Sequence, residues 1–340
     1  MLRLLLAFAL LAGTLTTAAA SPNNVNIASS ALYLHAGRMV DVGGYRLNMY
    51  CIGRGAPTVV FDSGLEDWAP AWVTIQPAIA RTTRTCTYDR AGNGLSDPGP
   101  MPRTTARIVS ELHALLHNSG ERGPYILVGH SFGGINVRHY ADRYLADVAG
   151  LVLDDASADD EVRLMTPKEQ RENDVEIAKA QSELQHCMVL AQRHFRTARP
   201  KEVHACPGQF FRGLPDPLDF SPALNRTLIS EAQRPKQYAA SAGEFVNFTT
   251  AGMRGLMGQH RNYGSIPVRI LVAMHHRGSS AHEELRWQAV HRSWLSLSSD
   301  AKYIEAPHSG HYIQFDQPQL VLAAIRDAIA RVRMRSHAGK

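Results

Sequence analysis

The stretch Gly129-His130-Ser131-Phe132-Gly133 sets a hydroxyl between glycines, straight after the apolar run Tyr125–Val128. It fits the pattern G-x-S-x-G, in which a serine stands on a sharp turn between a strand and a helix. The glycines suit such a turn because it brings backbones too close together for side chains. The helix that follows would aim its first N–H groups at a reacting carbonyl. A serine hydroxyl attacks poorly unless a base takes its proton. Two histidines, His308 and His311, lie near the end of the chain in "EAPHSGHYIQFDQP", between a strand-like run and a helix-like run. His311 follows Ser309-Gly310, a turn that can swing the ring towards the serine, and is the expected base. His308 reads as an ordinary loop residue.

Both residues need elements to hold them, and the chain supplies an alternation. "RMVDV", Gly43-Gly44 and "YRLNMYCIG" read as a hairpin. "PTVVFDSG" is a buried strand, "AWVTIQPAIART" a helix candidate and "TRTCTYDRAGNG" a strand running into a glycine-rich loop. Ile108, Leu112, Leu115 and Leu116 recur at helical spacing, with Thr104 or Thr105 as cap and Gly120 just beyond the end. "PYILVGH" is a strand, "FGGINVRHYADRY" a helix and "VAGLVLDDAS" a strand. From about residue 158 to 265 the pattern is helical and loop-rich with no convincing strand. The alternation then resumes as "VRILVAM", "EELRWQAVHRSWLSL", "KYIEAP" and "QLVLAAIRDAIARVR". Strands alternating with helices predict a parallel sheet covered on both faces. The expected organisation is a core over 21–157 and 266–340, with a helical insert over 158–265.

These pieces together resemble the α/β-hydrolase superfamily, and within it exported, single-domain bacterial members. The resemblance rests on "VVFDSGLEDWAPAW", "TCTYDRAGNGLSDPGP", "GPYILVGHSFGG", "AGLVLDDAS" and "SGHYIQFDQPQLV". It implies an α/β-hydrolase fold: a mostly parallel eight-stranded sheet, helices on both faces and a helical cap inserted after the sixth strand. It also implies an oxyanion hole. One donor is the backbone N–H of Phe132, after the serine. The second comes from the loop after the third strand, where Ser63-Gly64 stands in place of the common His-Gly pair and Leu65 N–H is the expected donor. The acid that orients His311 is less defined. Many relatives carry it after the penultimate strand, where only Glu283 and Glu284 are found here; others carry it one strand earlier, where Asp154 and Asp155 end an apolar run. Asp155 is the expected acid, with Asp154, Glu283 and Glu284 as alternatives. The Asp89-Arg90-x-Gly92-x-Gly94-x-Ser96 loop matches a superfamily pattern read as structural.

The N-terminus "MLRLLLAFALLAGTLTTAAA" has an early arginine, a short apolar run and three small residues. That is the pattern of a signal peptide over 1–20, cleaved after Ala20. The run is too short to span a bilayer comfortably, and no later segment is long and apolar enough, so an exported protein is expected, periplasmic or extracellular. In an oxidising compartment four cysteines suggest disulfides. The superfamily's strand order, with the second strand antiparallel beside the fourth, pairs Cys51 with Cys86. Cys187 and Cys206 both fall in the insert and would pair with each other. Net charge is +5, with basic residues scattered singly, which gives no footprint for nucleic acid. No metal constellation stands out: "MHHRGSSAH" lacks the helical His-Glu-x-x-His pattern, and His275 and His276 read as loop or pocket lining. No cofactor is expected. The predicted function is a serine hydrolase cleaving a small carboxylic ester through an acyl-enzyme on Ser131. An aminopeptidase or amidase, with insert acids such as Glu231 and Glu244 holding an ammonium group, is the alternative. A non-catalytic binding protein on the same fold is a third reading.

Overall fold

A computed structural model of the chain describes residues 31–158, 165–194, 206, 220–249, 262–276 and 279–338. The leader, most of the Pro- and Gly-rich loop of the insert, Met253 and Met257 lie outside the described residues.

Eight strands form one sheet in the order β1-β2-β4-β3-β5-β6-β7-β8. They are β1 (Arg38–Asp41), β2 (Arg46–Ile52), β3 (Val59–Asp62), β4 (Thr85–Tyr88), β5 (Tyr125–His130), β6 (Val148–Asp154), β7 (Pro267–Ala273) and β8 (Asp300–Ala306). The hairpin β1–β2 is antiparallel, and β2 runs antiparallel to β4. All remaining pairs are parallel. The inner parallel strands β3, β5, β6 and β7 are buried on both faces because both faces are covered, whereas the edge strand β8 is half-exposed. With side chains alternating across the sheet, Val59, Phe61, Ile126, Val128 and Val152 enter one core. Val60, Leu127, Leu151, Leu153 and Ile270 enter the other.

Helices α1 (Thr105–Ser119) and α2 (Phe132–Arg143) follow β4 and precede β6. Thr104 caps α1 by accepting the Arg107 N–H, and Gly120 ends it at φ +73°, a left-handed turn that favours glycine. Among the described residues, three helices lie between β6 and β7: α3 (Pro167–Gln192), α4 (Pro222–Ala232) and α5 (Pro235–Thr249). The last two, one run in the sequence, are separated at Pro235, which cannot donate to a continuing helix. Helices α6 (Ala281–Ser293) and α7 (Pro318–Ala338) flank β8. The "AWVTIQPAIART" stretch is not one helix. It forms a 3₁₀ turn at Ala69–Trp72 and a short helix at Gln76–Ile79, each opening at a proline. Trp72, Ile75 and Ile79 are all fully buried, so tertiary packing rather than helical amphipathicity sets this segment's shape.

Both expected disulfides are present. Cys51 and Cys86 face each other across the β2–β4 register with Cα atoms 4.1 Å apart. Cys187 and Cys206 join at 5.5 Å, beside a small apolar cluster of Leu184, Leu190, Tyr238 and Phe245 that unites α3 with α5. Among the described residues no helix is long and apolar enough to cross a membrane.

Candidate active site

The strand register aligns the carboxyl ends of four neighbouring strands. His130 of β5 pairs with Asp154 of β6, Asp154 with Leu271 of β7, and Leu271 with Ile304 of β8. Ligands of open α/β sheets bind outside such ends. Residues far apart in sequence meet here.

Ser131 sits between β5 and α2 at φ +51°, ψ −121°. That conformation is costly for a residue with a side chain and is held by its surroundings. Ser157 N–H and Gly134 N–H both donate to Ser131 O, and Ser131 N–H donates to Asp154 O. A Cβ on Gly129 would lie 2.5 Å from Gly133 O, which explains the glycines around the serine. Ser131 Oγ forms its hydrogen bond with Ser157 Oγ, at 3.3 Å.

His311 follows β8 and is partly exposed. Its Nδ1 lies 2.6 Å from Asp155 Oδ2. Asp155 is the residue just past β6, fully buried and turned by a φ of +43°. Its four contacts are divided evenly. Oδ1 accepts Ala273 N–H and Trp287 Nε1–H, each at 2.9 Å. Oδ2 faces His311 Nδ1 and also His276 Nε2, at 2.8 Å. Burial opposes its ionisation, but the hydrogen bonds from His276 and His311 outweigh burial and hold Asp155 well below the usual carboxylate range. His311 is lowered from its ordinary value: burial, with the charges of His130 and His276, exceeds the pull of Asp155. A lowered base is neutral, and so able to accept a proton, at neutral pH.

The other acids are placed elsewhere. Asp154 ends β6 with its carboxylate buried in the fold, and neither oxygen has a hydrogen-bond partner among the described residues. Glu283 closes a capping box with Ser280 at the start of α6. Glu284 contacts His276 through the backbone N–H at 2.6 Å and Nδ1 at 2.9 Å. His276, expected in a loop or lining the pocket, stands in the loop after β7 between two carboxylates at the site. The signal for it was available: an ionisable residue occupies the strand end where many relatives carry the acid. His308 is on the exposed side of its loop, its N–H donating to Gln317.

The two residues expected to supply N–H donors, Leu65 and Phe132, lie in adjoining segments, the loop after β3 and the start of α2. The loop after β3 packs against the serine turn, since a Cβ on Gly64 would meet His130 Nδ1 at 3.0 Å. Leu65 and Phe132 belong to one apolar cluster with Ile108, Ile135 and Phe248. Arg90 fixes that loop from below, donating to Ser63 O and Gly64 O at 2.6 and 2.7 Å. The same guanidinium forms a two-pronged pair with Glu244 of α5, at 2.9 Å on each prong. Glu244 also accepts from Asn93, and Glu231 pairs with Arg234. Neither insert acid has its charge free. Asp89 holds its loop through Asn48, Ala69 N–H and Leu95 N–H.

Donor atoms of Asp155, His276 and His311 lie within 4.8 Å of one another. Both imidazoles direct a nitrogen at a single carboxylate oxygen, Asp155 Oδ2.

Asp154 yields a pH prediction. Burial raises it to about 7, with Asp155's charge adding and His130's opposing. A carboxyl raised above its unfolded value binds its proton more tightly when folded. Its effect is therefore harmless below about pH 4 and costs stability as pH rises towards 7. Asp154→Asn is expected to be more stable than the parent by about 2–4 kcal/mol at pH 8 and equal to it near pH 4. Urea unfolding across that range measures this, and a gap independent of pH would refute it.

Comparison with known proteins agrees with this architecture. The model of the Alpha/beta hydrolase family matches residues 59–324, and the chain belongs to that family. Among curated relatives it is similar to the uncharacterized protein YqjL of Bacillus subtilis, 25% identical over 275 residues, which is 81% of this chain and 84% of YqjL. Among solved structures it resembles a thermophilic esterase from Thermogutta terrifontis, with a TM-score of 0.59 at 20% identity, covering 88% of this chain and 99% of that one. It also resembles the enol-lactonase from Burkholderia xenovorans LB400, with a TM-score of 0.59 at 16% identity, covering 86% and 100%. At these identities the two structures show a shared fold.

Proposed function

We propose that the protein is a serine hydrolase that cleaves a small carboxylic ester through an acyl-enzyme on Ser131. The observation that carries this reading is the convergence at one sheet edge of a serine at φ +51° and a histidine 2.6 Å from a buried aspartate. In the reaction, Ser131 Oγ attacks the ester carbonyl as its proton passes to His311. Asp155 holds the ring in the receptive tautomer and stabilises the imidazolium. The backbone N–H groups of Phe132 and Leu65 take the negative charge of the tetrahedral oxygen, each worth about 3–4 kcal/mol in the transition state. Collapse expels the alcohol, which takes the proton from His311. Water, deprotonated by His311, then releases the acid and restores Ser131.

The insert over 158–265, with its described helices α3, α4 and α5, acts in this reading as a cap over Ser131. Phe248 supports it, standing edge-on to Phe132 with ring centres 6.0 Å apart. Export to the periplasm or cell exterior is supported by the two disulfides, which persist in oxidising compartments. The aminopeptidase alternative is less favoured, because Glu244 and Glu231 are committed to arginines.

The test is labelling with a fluorophosphonate, alongside chromogenic esters of graded length and amino-acid anilides. Labelling and ester turnover should both vanish in Ser131→Ala. Residual turnover near the parent's would sink the assignment, and preference for anilides would move it to the aminopeptidase reading. Phe248→Ala is expected to alter preference among ester lengths more than it alters labelling.

A further inference from the structure

The serine, histidine and aspartate roles leave His276 and Glu284 unexplained. They are held too closely to be incidental. His276 Nε2 is 2.8 Å from Asp155 Oδ2, and Nδ1 is 2.9 Å from Glu284 Oε2. Glu284 is fixed in turn, because Oε1 also accepts the His276 backbone N–H at 2.6 Å. Trp287, one turn along α6, stands against the His276 ring with centroids 5.2 Å apart and donates to the other oxygen of Asp155. A neutral imidazole has one donor and one acceptor nitrogen. A ring with a carboxylate oxygen at each nitrogen must donate from both, which makes it an imidazolium.

We propose that Glu284, His276, Asp155 and His311 form one relay in which His276 is a charged positioning residue, steadying Asp155 and weakening the carboxylate's pull on His311. This rests on the reading of Ser131, His311 and Asp155 as the catalytic set. Its consequence is a base that stays neutral further into acid. The titratable groups facing His311 among the described residues are Asp155 just past β6, His130 from β5 with centroids 4.7 Å away, Tyr312 at 5.7 Å and His276 at 6.0 Å. Those facing His276 are Asp155, His311 and, from α6, Glu284. Behind His130 stands Asp67, at 3.7 Å. Burial disfavours the His276 charge, but the hydrogen bond and charge of Asp155, then those of Glu284, outweigh it and push His276 up to about 9. The sign for His311 follows: a positive neighbour lowers it, so removing that neighbour raises it.

The experiment is the pH profile of kcat/KM for ester hydrolysis in the parent, His276→Gln and Glu284→Gln, with fluorophosphonate labelling of each. The acid limb should move up by about one pH unit in His276→Gln, the effect of one charge at this separation. It should move down, and by less, in Glu284→Gln, which keeps an acceptor for Nδ1 and so leaves His276 charged while removing a negative charge from the group. A purely structural His276 would lower kcat with the limb unmoved, and that outcome overturns the proposal. Histidine ¹⁵N NMR gives a second reading that does not depend on turnover or on either variant folding. His276 in the parent should be doubly protonated at pH 7, and a neutral ring there overturns the proposal. Failure of the underlying reading looks different: labelling would then persist in Ser131→Ala.

Discussion

Asp155→Asn is expected to fold normally and to hydrolyse esters roughly 10⁴-fold more slowly, the size of the tautomer error in a serine protease triad. The geometry gives the reason. Oδ1 of Asp155 accepts from Ala273 N–H and Trp287 Nε1–H. An asparagine satisfies both donors only with its carbonyl oxygen there. Its amide then points at His311 Nδ1 and His276 Nε2 as a donor. His311 must accept at Nδ1, so its remaining proton moves to Nε2, the nitrogen that should take the Ser131 proton. Folding should survive because asparagine tolerates the positive φ of +43° better than most residues. Circular dichroism and initial rates on the parent and variant decide it. A variant with near-parental turnover would transfer the role to Asp154, Glu283 or Glu284, each tested by the same substitution type.

The second large effect is expected at Glu244. Arg90 and Glu244 are both almost wholly buried, 2% and 0% exposed, and the pair joins α5 to the loop after β3. Removing one partner of a buried ion pair leaves an uncompensated charge and costs about 3–5 kcal/mol. Glu244→Ala should lose about that much in urea unfolding, softened to the extent that Asp62, 2.9 Å from Arg90, compensates alone. The same guanidinium lies 5.4 Å from the Phe132 ring and holds the carbonyls of Ser63 and Gly64. Fluorophosphonate labelling should therefore slow as well. A Glu244→Ala protein as stable as the parent would show that the insert is not tied to the sheet through this pair.

Much of the architecture was legible because it is written in short-range patterns. The apolar runs at 59–62, 125–130 and 148–154 alternate with helical spacing, and burial on both sheet faces demands that. The cap of α1 was narrowed to Thr104 or Thr105, and the structure uses Thr104. The segment after Asp67 was misread because its apolar residues pack on several sides at once, leaving no helical period to detect. His276 reads in the sequence as loop or pocket lining, although it follows the strand after which many relatives carry the acid, because its partner Asp155 is 121 residues away and only the fold brings them together.

What the sequence by itself determined is the serine turn and the elements around it. Gly129, Ser131, Gly133 and Gly134 are close neighbours whose local sterics allow few backbone shapes, and the strand before them and the helix after them follow from periodicity. It also determined which cysteines could meet, once the strand order was supplied by resemblance. Only the tertiary structure places one of two adjacent acids beside His311. Asp154 is the last residue of β6 and points into the fold as the pleat dictates, while Asp155 leaves the ladder at positive φ and turns to the histidines. Residues one apart on a strand face opposite ways, so composition cannot choose between them. The choice is made at the carboxyl edge of the sheet, where β6 stops two residues short of the level ends of β7 and β8, and that register is a property of the whole sheet.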